Sequence, residues 1–209
     1  MIYRPFVERE RFDTGLWWSD NPYEEVSQAN PRQTMNLDIL LADPLTEKNK
    51  AFVARHWAVV SGEIDRLGDA FQGFDTRDIV VGGNVAQAID KLEPGVHDLI
   101  PIPNVWSLGS QQRVERKFYF LNIYATTRTV IMEKSDTSGG IRKTDGKRWK
   151  SLSAIAPECC HVLAEAADGR HLWRDDLTRA VFMSDTLVRA LNEAGVRGFE
   201  YMETTVITH

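Results

Sequence analysis

Cys159-Cys160-His161 is the densest run of metal-ligating and nucleophilic side chains in this chain. A zinc site would need four ligands, with paired cysteines two to four residues apart. These two cysteines are adjacent and there are no others, and His56, His97, His171 and His209 do not stand at ligand spacing. On a helix, neighbouring residues point about 100° apart, so the run reads as core packing with one thiol turned inward. No metal or other cofactor is expected. Gly82-Gly83-Asn84 lacks both phosphate-cradling glycine strings and reads as a turn. Neither His-Glu-x-x-His nor Gly-x-Ser-x-Gly occurs. Ser184-Asp185 opens an amphipathic stripe, so its hydroxyl reads as a helix cap rather than a nucleophile. Asp175-Asp176 offers two carboxylates to a cation. Hard cations take six or more oxygens from a pre-shaped loop, so a solvated acidic turn is the better reading.

The strongest local structure lies near the C-terminus. Ser184 caps, Asp185 suits the helix dipole, and Leu187, Ala190, Leu191 and Ala194 recur at helical spacing. Gly195 ends the helix in a left-handed conformation. Gly198-Phe199-Glu200-Tyr201 then starts a strand. Upstream, Trp57–Val60 reads as a strand ending at Ser61, which caps a helix with Ile64, Leu67 and Phe71 on its apolar face. Asp78–Gly82 is a short strand. His97–Pro103 is extended, and its two prolines favour a sheet edge. Phe118–Tyr124 is apolar on both faces, as a central strand would be, and Thr129–Met132 should pair with it. Pro157 opens a further helix that ends near Gly169. His171–Arg174 and Arg179–Phe182 are strands flanking the acidic turn.

The 209 residues form a single domain by this reading, with residues 1–50 irregular and interrupted by Pro5, Pro22, Pro31 and Pro44. Asn36–Leu41 is the strand candidate within them. Residues 135–150 carry five basic and two acidic side chains and read as a mobile basic loop or long hairpin tip. Its charges, interleaved with Trp149, could contact phosphates, but against the acidic remainder a solvated loop is the better reading, with a partner-binding element as the other alternative. With 43% hydrophobic residues and six tryptophans, the chain can bury a sizeable core. The net charge of −5 speaks against a general nucleic-acid binder and suits a basic partner. No disulfide framework, secretory leader or membrane-length apolar run is readable, which places the expectation in the cytoplasm. The expected class is α+β: a mixed, mostly antiparallel sheet flanked by about three helices.

The string Phe182-Met183-Ser184-Asp185, a short amphipathic helix, then Gly195-Val196-Arg197-Gly198-Phe199 resembles the C-terminal signature of the type-eleven immunity-protein family of bacterial polymorphic-toxin systems. Val59-Val60-Ser61, Leu99-Ile100-Pro101-Ile102, Tyr119-Phe120-Leu121-Asn122 and Leu172-Trp173-Arg174 resemble other pieces of that family's layout in the same order. The resemblance covers about residues 57–203. The Ile131-Met132-Glu133 region departs from it, and the basic loop is particular to this chain.

The resemblance implies a non-enzymatic protein that binds and neutralises a cognate toxin domain in a stoichiometric complex. From the charge and the lack of a membrane-length apolar run, no nucleic-acid or membrane partner is expected. Its toxin would then act in, or be stored in, the cytoplasm. Trp17 and Trp18, with Asp20, Tyr23, Glu24 and Glu25, form the leading contact candidate, because Trp and Tyr dominate interface energetics and carboxylates pair with basic residues. The same aromatics equally read as a lid packed on the sheet. Asp175 and Asp176 complete the candidate toxin-binding set. Two other readings stand beside this one. One is a small hydrolase or transferase for a nucleotide- or sugar-like substrate. The other is an adaptor or chaperone for a secreted effector.

Overall fold

The computed structural model describes residues 1–7, 15–19, 44–73, 79–141, 148–152, 157–167 and 169–208. The class is α+β. Three α-helices occur among the described residues: α1 (Glu47–Arg55), α2 (Gly83–Leu92) and α3 (Asp185–Glu193). The strands form two main sheets rather than one.

The five-stranded sheet runs in the order β10 (Thr126–Thr127), β14 (Leu172–Asp175), β15 (Val181–Ser184), β1 (Ile2–Val7), β16 (Phe199–Glu203). The eight-stranded sheet runs β6 (Asp98–Ile102), β9 (Phe118–Asn122), β5 (Ile79–Gly82), β4 (Ala70–Gly73), β2 (Gly15–Ser19), β3 (Trp57–Val60), β7 (Val105–Ser107), β8 (Gln112–Arg113). A hairpin pairs β11 (Thr137–Ile141) with β12 (Arg148–Leu152), and β13 (His161–Leu163) pairs in parallel with β17 (Thr205–Ile207). Parallel pairs also join β10 to β14, β2 to β4 and β3 to β7; the other pairs are antiparallel.

Strand alternation builds three apolar layers. Val80, Phe118 and Phe120 face a core with Leu16, Trp18 and Val53 of α1. Ile79, Val81 and Leu121 face the opposite way, onto Val85 and Ile89 of α2, Leu187 and Leu191 of α3, and Leu172 and Met183 of the smaller sheet. Helices α2 and α3 therefore lie between the sheets. Trp173 and Phe182 point to the far side of the five-stranded sheet, onto Cys160 and Val162.

Several expectations are corrected. The N-terminus is not irregular throughout, because β1 inserts between β15 and β16. Pro5 is tolerated there: β15 pairs only through Ile2 and Tyr3, so no bond is lost on that side. Ile64, Leu67 and Phe71 do not share a helix. Ile64–Arg66 is a single 3-10 turn, and Phe71 lies in β4. Gly83-Asn84 opens α2 rather than forming a turn. The segment after Pro157 is two 3-10 turns with β13 between them. Thr129–Met132 does not pair with β9; Val130 bridges Val162 instead. The Asn36–Leu41 candidate lies outside the described residues.

The edge position of β6 agrees with the sequence, and β9 is flanked on both sides as its two apolar faces require, although it lies second from the edge rather than at the centre. So does the hairpin reading of 135–150, whose arms are β11 and β12 while residues 142–147 lie outside the described set.

Candidate functional site

The C-terminal unit β15–α3–β16 is built by its own residues. The Ser184 hydroxyl accepts the Leu187 amide at 3.2 Å and caps α3. Asp185 sits in the first turn and pairs with Arg189 at 3.1 Å. Leu187, Val188 and Leu191 face the core. Gly195 then takes a φ of +67°, as a left-handed helix end requires. Both flanking strands are antiparallel to β1, which splits the strand–helix–strand unit by inserting between its strands.

His171 brings its Nδ1 to 2.9 Å from the Ser184 Oγ, the nucleophile–base contact of interest among the described residues. The hydroxyl can donate to that nitrogen while it accepts from Leu187. A nucleophile's base needs a third group to orient it. The nearby Glu93 carboxylate bonds the His171 and Leu172 amides at 2.8 and 3.0 Å and the His97 Nε2 at 3.0 Å, not the His171 ring. Burial alone would raise the Glu93 carboxyl's pKa; the bonds from His97 and the two amides outweigh it, and the net shift is downward. These contacts stitch α2 to β14.

Asp175 is not a solvated turn residue. It is 0% exposed. One carboxylate oxygen accepts the Thr129 and Val130 amides, each at 2.9 Å. The other accepts the Leu177 and Thr178 amides at 3.1 and 2.7 Å and the Thr178 hydroxyl at 2.9 Å. A side chain so enclosed cannot meet a partner, and it serves as the anchor of the β14–β15 turn. Asp176 beside it is exposed.

The aromatic candidate divides similarly. Trp18 is 2% exposed and packs on Phe52 and Phe120, with ring centroids 6.0 and 6.2 Å away. It is a core residue within a strand of the sheet rather than part of a lid over it, and its burial leaves little surface for a partner. The side chain of Trp17 and all of Asp20, Tyr23, Glu24 and Glu25 lie outside the described residues. Trp17-Trp18 and Asp175-Asp176 belong to different sheets. Cys160 is buried in the far-side core, and burial pushes its thiol up to about 11. One thiol does turn inward, although on an irregular segment rather than a helix.

Two surface features escaped sequence reading. One is an open cleft of about 350 Å³ between Pro101–Pro103 and the segment Arg113–Tyr119, with Arg113, Arg116 and Lys117 at its rim. Arg116 is already paired with Asp69, and Arg113 donates to the Pro103 carbonyl at 2.8 Å. The run Arg113-x-x-Arg116-Lys117 was its only signal. The other is the aromatic end of the five-stranded sheet, where Tyr3, Phe199 and Tyr201 are half-buried. Burial raises the Tyr201 hydroxyl's pKa well above its ordinary value. Its alternation announced a strand without revealing that it ends a sheet.

Among the described residues, no three His, Cys, Asp or Glu side chains converge as a metal site, and no helix is long and apolar enough to cross a membrane. No curated protein matches the chain. The model of the Immunity protein family (Imm11) matches residues 63–206. That span opens just before the 3-10 turn at Ile64, runs through both main sheets and closes in β17, and it contains the whole Ser184–Gly198 signature. By this match over most of its length, the chain belongs to the Imm11 immunity protein family.

Proposed function

We propose that this chain is a stoichiometric immunity protein that binds a cognate toxin domain in the cytoplasm and holds it inactive. The observation that carries this reading is the family match over residues 63–206. The geometry supports it in kind: Ser184 caps a helix, Asp175 anchors a turn and Cys160 fills a core, so each suspected chemical group already has a structural task. Neutralisation then rests on complementary surface rather than on a reacting group. The net charge of −5 suits a basic toxin.

The test is to express the tagged chain in its native host and identify what co-purifies. A near-stoichiometric partner that kills cells when expressed alone supports the reading. A partner that still binds after its toxic domain is deleted identifies an effector adaptor instead. The His171–Ser184 contact at 2.9 Å is the one observation favouring a hydrolase. A fluorophosphonate probe decides it: covalent labelling of Ser184 would establish an activated serine and overturn the binding-only account.

A further inference from the structure

The two main sheets have four end strands among the described residues, and three are blunted. β8 and β10 have two residues each. β6 carries Pro101 within the strand and Pro103 just after it. β16 is different. It is five residues long, Phe-Glu-Tyr-Met-Glu, with no proline, lysine or arginine. Open edges of this kind are templates for strand pairing, and proteins usually disarm them.

Register shows which groups the edge offers. The Thr204 amide donates to the Ile2 carbonyl at 3.1 Å. With the pairs Arg4–Met202 and Phe6–Glu200 in the same register, Met202 and Glu200 turn their backbone groups toward β1. Phe199, Tyr201 and Glu203 therefore turn theirs outward. Arg197, just before the strand, is bonded by Asp69 on both its amide and its carbonyl, so the open stretch lies beyond that contact, toward Tyr201 and Glu203. Pro5 stands opposite Tyr201, at a non-bonded pair, where its missing N–H leaves no gap in the β1–β16 ladder.

The side chains say what would pair there. Glu200 and Glu203 are exposed. Phe199 and Tyr201 are half-buried on the same face as Glu203, with ring centroids 6.0 Å apart, and Tyr3 meets Tyr201 edge-on at 6.5 Å. An incoming strand would find aromatic surface for apolar side chains and carboxylates for cationic ones. A second copy of this chain fits badly, because it would bring four glutamates into one two-stranded ladder.

We propose that β16 is a docking edge that receives an extended basic segment of a protein partner as the sixth strand of the five-stranded sheet. The identity of that partner as the toxin rests on the immunity reading; the edge itself does not.

The probe is a synthetic peptide alternating lysine and valine, with a glutamate–valine twin as control, read by amide hydrogen exchange on the full chain. The lysine peptide slows exchange at Tyr201 and Glu203 by about tenfold or more, and the twin does not. Glu203→Pro removes one outward amide without breaking a bond to β1, and weakens binding by about tenfold. If that variant misfolds, the paired changes Glu200→Lys and Glu203→Lys leave the backbone intact and reverse the preference toward the twin. Unchanged exchange at the two amides, undiminished binding by a folded Glu203→Pro chain, or protection that arises from self-association overturns the proposal. A toxin that binds while leaving these amides unprotected sinks the edge assignment and leaves the immunity reading standing. Peptide protection with no toxin found does the reverse.

Discussion

The Asp69 carboxylate accepts the Arg197 amide at 2.9 Å, and the Asp69 amide returns a bond to the Arg197 carbonyl at 2.6 Å. The two residues are 128 positions apart in the chain. Arg116 pairs with the other carboxylate oxygen, and the Gly82 amide donates to the Asp69 carbonyl at 2.8 Å. One buried acid thus ties the segment before β4 to the segment that launches β16. Gly198 suits the turn into β16 through its backbone: its φ is +102°, which side-chain-bearing residues rarely adopt, while a Cβ there would only touch the Asp69 and Ala70 amide nitrogens at 3.4 Å.

Asp69→Ala removes the acceptor for Arg197 and leaves Arg116 without its carboxylate. The expected loss is about 2–4 kcal/mol of folding stability. Urea denaturation checks it. Arg116→Ala should be milder, because that side chain is partly exposed and the Arg197 bond survives.

Trp18→Ala should lower stability by about 3–5 kcal/mol, since it deletes a buried ring packed on Phe52 and Phe120. A binding defect in that variant would track its unfolded fraction. Denaturation and partner titration on the same preparation separate the two, and a fully folded Trp18→Ala chain that fails to bind would contradict its placement in the core.

Ser184→Ala removes the cap of α3 and should cost about 1 kcal/mol while leaving partner binding intact. Thermal unfolding and a binding titration give both numbers. Abolished function in a folded variant would show that the hydroxyl does more than cap.

Glu93 links stability to acid. Its folded pKa lies below the ordinary 4.5, so its contribution is present above that value and is lost as pH falls through the folded one. Glu93→Gln should therefore flatten the acid limb of the stability–pH curve below about pH 4.5. Denaturant titrations across that range measure the slope, and an unchanged limb would mean that the His97 and backbone contacts do not hold the carboxylate.

The sequence revealed those parts whose signals are local. In β15–α3–β16, cap, stripe and terminating glycine coincide, so chain order alone locates the helix. β9 was legible because both its faces are apolar. α2 was not, for it starts at Gly83 with no side-chain cap and no acid in its first turn. Ile64, Leu67 and Phe71 have helical spacing, but the 3-10 turn ends at Arg66, and the Asp69–Arg197 bonds tie the following residues to a distant segment before β4 begins. His161–Leu163 becomes a strand because β17 supplies a partner from the far end of the chain, a non-local choice that overrides propensity. The candidate site failed for the same reason. The donors that enclose Asp175 come partly from Thr129 and Val130, which are distant in sequence, so an acidic pair that reads as surface is half anchor.

The most direct test of the account is growth of cells that express the toxic domain of the co-purifying partner, with and without this chain. Arrest is expected without the chain, and restored growth once it is present in at least equal amount, with the two recovered as one complex. Restored growth at far less than equal amount, or rescue without any complex, would contradict neutralisation by binding and point to catalysis.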